Sequence, residues 1–127
     1  MRRPLLLGLS LLLAACVSAP RPAPVLLSPS ELPRVTGHWH GSIQPMGGLT
    51  VLTDSIITAD GVFTTPARRL GESGRLWILD DGRIGFETGL SQGIYTFHDD
   101  GTRSQLLGQG TYKTTGREFR IELTRQP

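Results

Sequence analysis

The sequence predicts a small all-β protein: an antiparallel up-and-down meander of about eight short strands, a closed or partly open barrel, behind a signal peptide and a proline-rich linker. Three observations predict it. Apolar and polar residues alternate with period two from Val35 onward, glycine-containing turn signals separate the alternating runs, and no window carries sustained helical periodicity with caps. At 127 residues the chain has the length of one domain and is too short for two.

The strands are expected at 37–44, 49–58, 61–66, 74–79, 83–88, 92–98, 103–112 and 118–125. In the first, Trp39, Gly41 and Ile43 alternate with His38, His40 and Ser42. Leu76 and Ile78 are followed, after a turn, by Ile84 and Phe86. The last strand is the cleanest, with Phe119, Ile121 and Leu123 between Glu118, Arg120, Glu122 and Thr124. Met46-Gly47-Gly48, Asp60-Gly61, Asp80-Asp81-Gly82, Asp99-Asp100-Gly101 and Thr115-Gly116 mark the turns, because Asp-Gly accepts the positive φ of tight hairpins. Pro66 to Ser73 reads as a polar loop, either a lid or a connector. Closing the meander removes exposed edges; an open curved sheet or a two-sheet sandwich satisfies the same pattern.

Ahead of these strands, Met1-Arg2-Arg3-Pro4 is a short positive segment, and Leu5 to Ala15 is an almost unbroken apolar run. That run falls short of the roughly 20 residues a transmembrane helix needs, and it has the length of a signal-peptide core. From Val17 to Pro33 prolines recur every few residues, which gives an extended spacer. Val25-Leu26-Leu27 interrupts it, either to dock on the domain or to lie at a membrane surface. The chain thus divides into a signal peptide, 1–15, a tether, 16–34, and a barrel-like domain, 35–127.

Leu13-Ala14-Ala15-Cys16 resembles the lipobox of bacterial lipoproteins. The resemblance implies cleavage before Cys16, a diacylglyceryl group on its thiol and an acylated amino group. Several acyl chains, at about 0.8 kcal/mol per buried methylene, make a stable membrane anchor. In such proteins of two-membrane bacteria an Asp after the cysteine signals retention at the inner membrane. Val17 stands there instead, which implies the outer membrane, with the domain facing the periplasm.

Gly37-His38-Trp39, opening the first strand, resembles the Gly-x-Trp that begins lipocalin-like (calycin) barrels. The resemblance implies that Trp39 plugs one end of the barrel and that an arginine of the last strand packs across it. Arg125 has the inward parity of Phe119, Ile121 and Leu123, and a closed meander makes the first and last strands neighbours. The chain is shorter than typical lipocalins and lacks their terminal helix pattern. Two roles follow as expectations. One is a small apolar or amphipathic ligand inside the barrel, against Trp39, Leu76, Ile78, Phe86 and Ile94. The other is a cell-envelope protein-binding or inhibitor module with a filled interior and an exposed patch around Trp77, Tyr95 and Phe97.

Composition bounds the chemistry. Of 13 Lys and Arg, Arg2 and Arg3 lie in the leader, which leaves 11 basic against 11 acidic side chains. A neutral domain lacks the clustered cations that bind nucleic acid. Cys16 is the sole cysteine, so no intramolecular disulfide forms. His38-x-His40 places two imidazoles on one strand face, with His98 elsewhere; outward histidines, not a metal site, are expected. The Asp-Asp-Gly pairs are explained by turn chemistry. Gly89-Leu90-Ser91-Gln92-Gly93 matches Gly-x-Ser-x-Gly only superficially, because that motif needs a strand-to-helix turn in a larger α/β domain. No enzyme activity and no cofactor are expected.

Overall fold

The computed structural model describes residues 20–65 and 72–127. The signal peptide, Cys16 and the first residues of the tether lie outside the described residues, as do positions 66–71 of the polar loop.

Among the described residues, nine strands and one 3-10 helix follow in chain order: β1 Pro24–Val25, the helix Pro29–Val35, β2 Gly37–Pro45, β3 Val51–Ile57, β4 Val62–Thr65, β5 Glu72–Ile78, β6 Ile84–Thr88, β7 Ser91–Asp99, β8 Ser104–Tyr112 and β9 Glu118–Arg125. From β2 to β9 each strand pairs antiparallel with the next, and β9 returns to pair with β2. The meander is therefore a closed eight-stranded barrel, compatible with a calycin-like fold. β1 adds to the C-terminal half of β7, pairing Pro24 with His98 and Val25 with Phe97, beyond the stretch that β6 covers.

The expected strands coincide with β2 to β9 within a few residues; β5 starts earlier, at Glu72, where the polar loop was expected to continue. The glycine-marked turns close as tight turns, with φ of 71° at Gly47, 84° at Gly61, 85° at Gly82, 86° at Gly101 and 68° at Gly116. Alternation sets the faces. On β9, Phe119, Ile121 and Leu123 are buried while Glu118, Arg120 and Glu122 are exposed.

Rings fill the interior. Phe86 lies 4.7 Å from Tyr95 and 6.3 Å from Phe119 between centroids, and Tyr112 lies 4.7 Å from Phe119. Glycines on facing strands make room for them: a Cβ at Gly93 would sit 2.6 Å from the Phe86 ring, and one at Gly108 2.7 Å from the Tyr95 ring. Aromatic side chains thus pack against one another within the barrel. Burial pushes the Tyr95 phenol well above its ordinary pKa.

From Pro20 onward the proline-rich segment is ordered against the barrel. Ser28-Pro29-Ser30-Glu31 starts a 3-10 helix: Glu31 Oε1 accepts from the Ser28 amide and hydroxyl, both at 3.0 Å, and the Glu31 amide donates to the Ser28 carbonyl at 2.8 Å. Proline at the first helical position loses no hydrogen bond there. Leu27 and Val35 are buried in the barrel core. Of the two fates open to Val25-Leu26-Leu27, docking on the domain is the one observed for Val25 and Leu27, while Leu26 stays exposed.

The carboxylates of three turns are held below their ordinary pKa. Asp100 is lowered to about 2, chiefly by the Thr102 hydroxyl and then by the amides of Arg103 and Thr102. The Arg83 amide and guanidinium lower Asp81, and the Thr58 hydroxyl lowers Asp60. A depressed folded pKa gives stability that is complete above the ordinary value of 3.8 and is lost as pH falls toward about 2. The melting temperature is accordingly expected to drop between those two pH values, and Asp100→Asn to flatten part of the drop. An unchanged melting temperature across that window would contradict the turn assignment.

Candidate functional site

The Trp39 end of the barrel is sealed by residues from both ends of the domain. Trp39 is fully buried, and its indole Nε1 donates to the Val35 carbonyl at 3.0 Å, so the 3-10 helix satisfies the one polar group of the ring. Trp39 and Arg125 are register partners across β2 and β9. The Arg125 guanidinium carbon stands 4.7 Å from the Trp39 ring centroid and 6.0 Å from that of Phe97. Its Nη1 donates to Ser104 Oγ at 3.2 Å and its Nη2 donates to the Arg34 carbonyl. Burial pulls the Arg125 pKa down, and the negative charge of Asp99 opposes that pull. Arg34 stacks in turn on Phe97 at 5.6 Å and pairs with Asp99 at 3.5 Å. Cations and aromatic faces therefore alternate across this end.

The remaining residues expected to line a ligand cavity divide between two faces. Leu76 and Phe86 are buried inside, and Ile78 packs partly buried against them. Ile94 is on the outer face, whereas Tyr95 and Phe97, expected in an outer patch, are buried inside. This corrects the parity assigned to β7. Ile94-Tyr95-Thr96-Phe97 is apolar enough on both faces to leave the parity undecided. Pairing decides it, because Ile84 opposes Tyr95 and Phe86 opposes Gly93, and cross-strand partners share a face. A one-residue slip would turn every ring outward.

Trp77 is outward, as expected, and 42% exposed. Its ring lies on the backbone of Gly85, where an added Cβ would meet it at 2.4 Å. Gly85 pairs with Ile94, so the indole and Ile94 are neighbours on the outer surface. From there an open depression of about 1140 Å³ extends over β6, β7, β8, β9 and β2, reaching Phe86, Phe119 and Ile121 between the outward side chains. Ile94 and Leu107 are among its apolar lining residues, Gln44, Gln92 and Gln109 offer amides, and Trp77 and Arg21 also line it.

The histidines occupy two other places. His40 Nδ1 donates to Asp54 Oδ1 at 2.8 Å, and His38 Nε2 lies 3.5 Å from the same oxygen. The His40 hydrogen bond is the main cause that lowers the Asp54 pKa. His98 is buried, with Nδ1 donating to the Pro22 carbonyl at 2.8 Å. Among the described residues, no group of three His, Cys, Asp or Glu side chains is arranged to hold a metal ion. The serine of the Gly-x-Ser-x-Gly look-alike, Ser91, is buried in a β-turn contact with Thr88 at 2.9 Å between hydroxyls.

Sequence reading missed the 3-10 helix and β1. The signal was present: Ser28-Pro29-Ser30-Glu31 combines a capping residue, Pro at the first helical position and Glu three residues after the cap. Compared with known proteins, the chain matches no family model and no curated sequence.

Proposed function

We propose that this chain is a non-catalytic lipoprotein, anchored through Cys16 in the outer membrane and facing the periplasm, whose barrel binds a polypeptide partner on its outer face. The observation that carries the choice between the two expected roles is the filled interior. Phe86, Tyr95, Phe119 and Tyr112 stack where a lipocalin holds its ligand, and Gly93 and Gly108 let the sheet close on them. Recognition is left to the surface, where the Trp77 ring is held on Gly85 beside Ile94 and Leu107. A rigid aromatic in a concave, mixed-polarity patch has the character of an interface anchor.

Two experiments test this reading. Trp77→Ala is expected to leave the fold intact and weaken capture of an envelope protein about 30-fold, the equivalent of roughly 2 kcal/mol for a central aromatic anchor. A stoichiometric apolar molecule released from the purified barrel and seen by mass spectrometry would replace the polypeptide reading with the ligand reading. For the anchor, Cys16→Ser is expected to abolish lipid labelling and to release the domain from membranes or leave uncleaved precursor. Normal membrane retention and mature mass in that variant would overturn the lipoprotein assignment.

A further inference from the structure

Most of the segment expected to act as a spacer is fixed to the barrel. Arg103 Nη2 donates to the Pro20 carbonyl at 3.0 Å, and Arg21 pairs with Glu122 at 3.2 Å. His98 holds the Pro22 carbonyl at 2.8 Å, and the Asp99 amide donates to the Ala23 carbonyl at 3.2 Å. β1 and the Leu27 amide, which donates to the Gly82 carbonyl at 3.0 Å, continue the attachment up to the 3-10 helix. The chain therefore meets the barrel at one defined place, beside the turn between β7 and β8.

Only Val17, Ser18 and Ala19 separate Cys16 from Pro20. Four successive residue steps reach at most about 14 Å, whatever path they take. That is shorter than the barrel, since the nine residues of β8 alone extend over about 27 Å. A domain on so short a lead has one side within reach of the headgroups. We propose that the barrel lies on the phospholipid headgroup surface of its own membrane, with the β7–β8 turn, Asp100 to Arg103, foremost and the β8–β9 turn pointing away. This rests on lipidation of Cys16. Arg103 is the residue that ties the exit of the chain to the leading turn, and Arg34 lies at the same end, paired with Asp99. Anchor and orientation are thus one device: the docked segment converts a lipid attachment into a fixed presentation of the barrel.

The test uses the full chain, acylated and reconstituted in phosphatidylethanolamine–phosphatidylglycerol vesicles. Cys16 is the sole cysteine and its thiol is consumed by the lipid, so a cysteine introduced by Thr102→Cys or Thr114→Cys is the only site for a fluorophore. Energy transfer to a headgroup-linked acceptor is expected to be several-fold stronger from position 102 than from position 114. A flexible Gly-Ser insertion of about ten residues between Ala19 and Pro20 is expected to erase most of that difference. Equal transfer from both positions in acylated protein overturns the orientation and leaves the anchor standing. A mature mass without acyl groups removes the anchor and the orientation together.

Discussion

Gly41→Ala is expected to lower the stability of the barrel by about 3 kcal/mol or more, read as a shift in the urea midpoint. The added Cβ would lie 1.7 Å from the Glu122 carbonyl oxygen, 2.7 Å from its carbon and 2.9 Å from the Leu123 Cα. All three are backbone atoms of β9. Overpacking ordinarily costs about 1–3 kcal/mol because neighbouring side chains rotate away. A paired strand has no such freedom, so relief requires β2 and β9 to separate at Gly41 and Leu123, on the seam that closes the barrel. Gly89 is the matched control: an added Cβ there meets nothing within 4 Å, and its φ is not in the left-handed region. Gly89→Ala is expected to stay within about 0.5 kcal/mol of the parent, or to stabilise slightly through the unfolded chain. Loss of amide protection along β9 in the Gly41 variant alone would complete the case. Equal midpoints for the two variants would show that the seam tolerates a side chain.

At the sealed end, Trp39→Ala is expected to cost about 3–5 kcal/mol, the range for removing a fully buried large aromatic. Arg125→Ala is expected to cost about 2 kcal/mol: cation–π attraction of about 0.5–2 kcal/mol, together with hydrogen bonds to Ser104 and the Arg34 carbonyl. The double variant supplies the coupling. If the guanidinium acts on the indole, the two losses are less than additive, and Arg125→Ala shifts the emission of Trp39 in a Trp77→Phe background. Additive losses with unchanged emission would reduce Arg125 to a solvated chain end. Arg125→Lys is not expected to restore the parent, because a point ammonium cannot cover the ring and reach both acceptors.

Most of this architecture was legible because β strands with one wet face write their parity into the sequence. Phe119, Ile121 and Leu123 fix the inner face of β9, and Asp-Gly turns fix where strands end. From there the neighbourhood of Trp39 and Arg125 follows from closure alone. Legibility failed where both faces are apolar or covered. On β7, Ile94 and Tyr95 are equally plausible occupants of a core, and the choice was made by the Phe86–Gly93 and Ile84–Tyr95 pairings, which no single strand records. The segment from Pro20 to Val35 failed differently. Its prolines announce the loss of local hydrogen bonds, yet its carbonyls find donors far along the chain, in His98, Asp99 and Arg103. The outer depression carries no motif, being assembled from side chains of six strands, so only the folded chain reveals it.

The seam between β2 and β9 also governs time. Trp39 and Arg125 are register partners across it although they stand near opposite ends of the domain sequence, and no closed ring exists until β2 and β9 have met. Long-range pairing of this kind carries a large loop-closure entropy and places small β proteins in the millisecond-to-second folding range. β1 depends on another strand in turn, since its partner, the C-terminal half of β7, must be positioned before Pro24 and Val25 can join it. The segment from Ala23 to Leu27 thereby settles only onto a strand already in place, and refolding followed by amide exchange is expected to show Leu27 and Asp99 protected no earlier than the β7–β8 hairpin. A chain that emerges from a membrane N-terminus first would spend that interval as an open ribbon with two unpaired edges, β2 and β9, each complementary to the other.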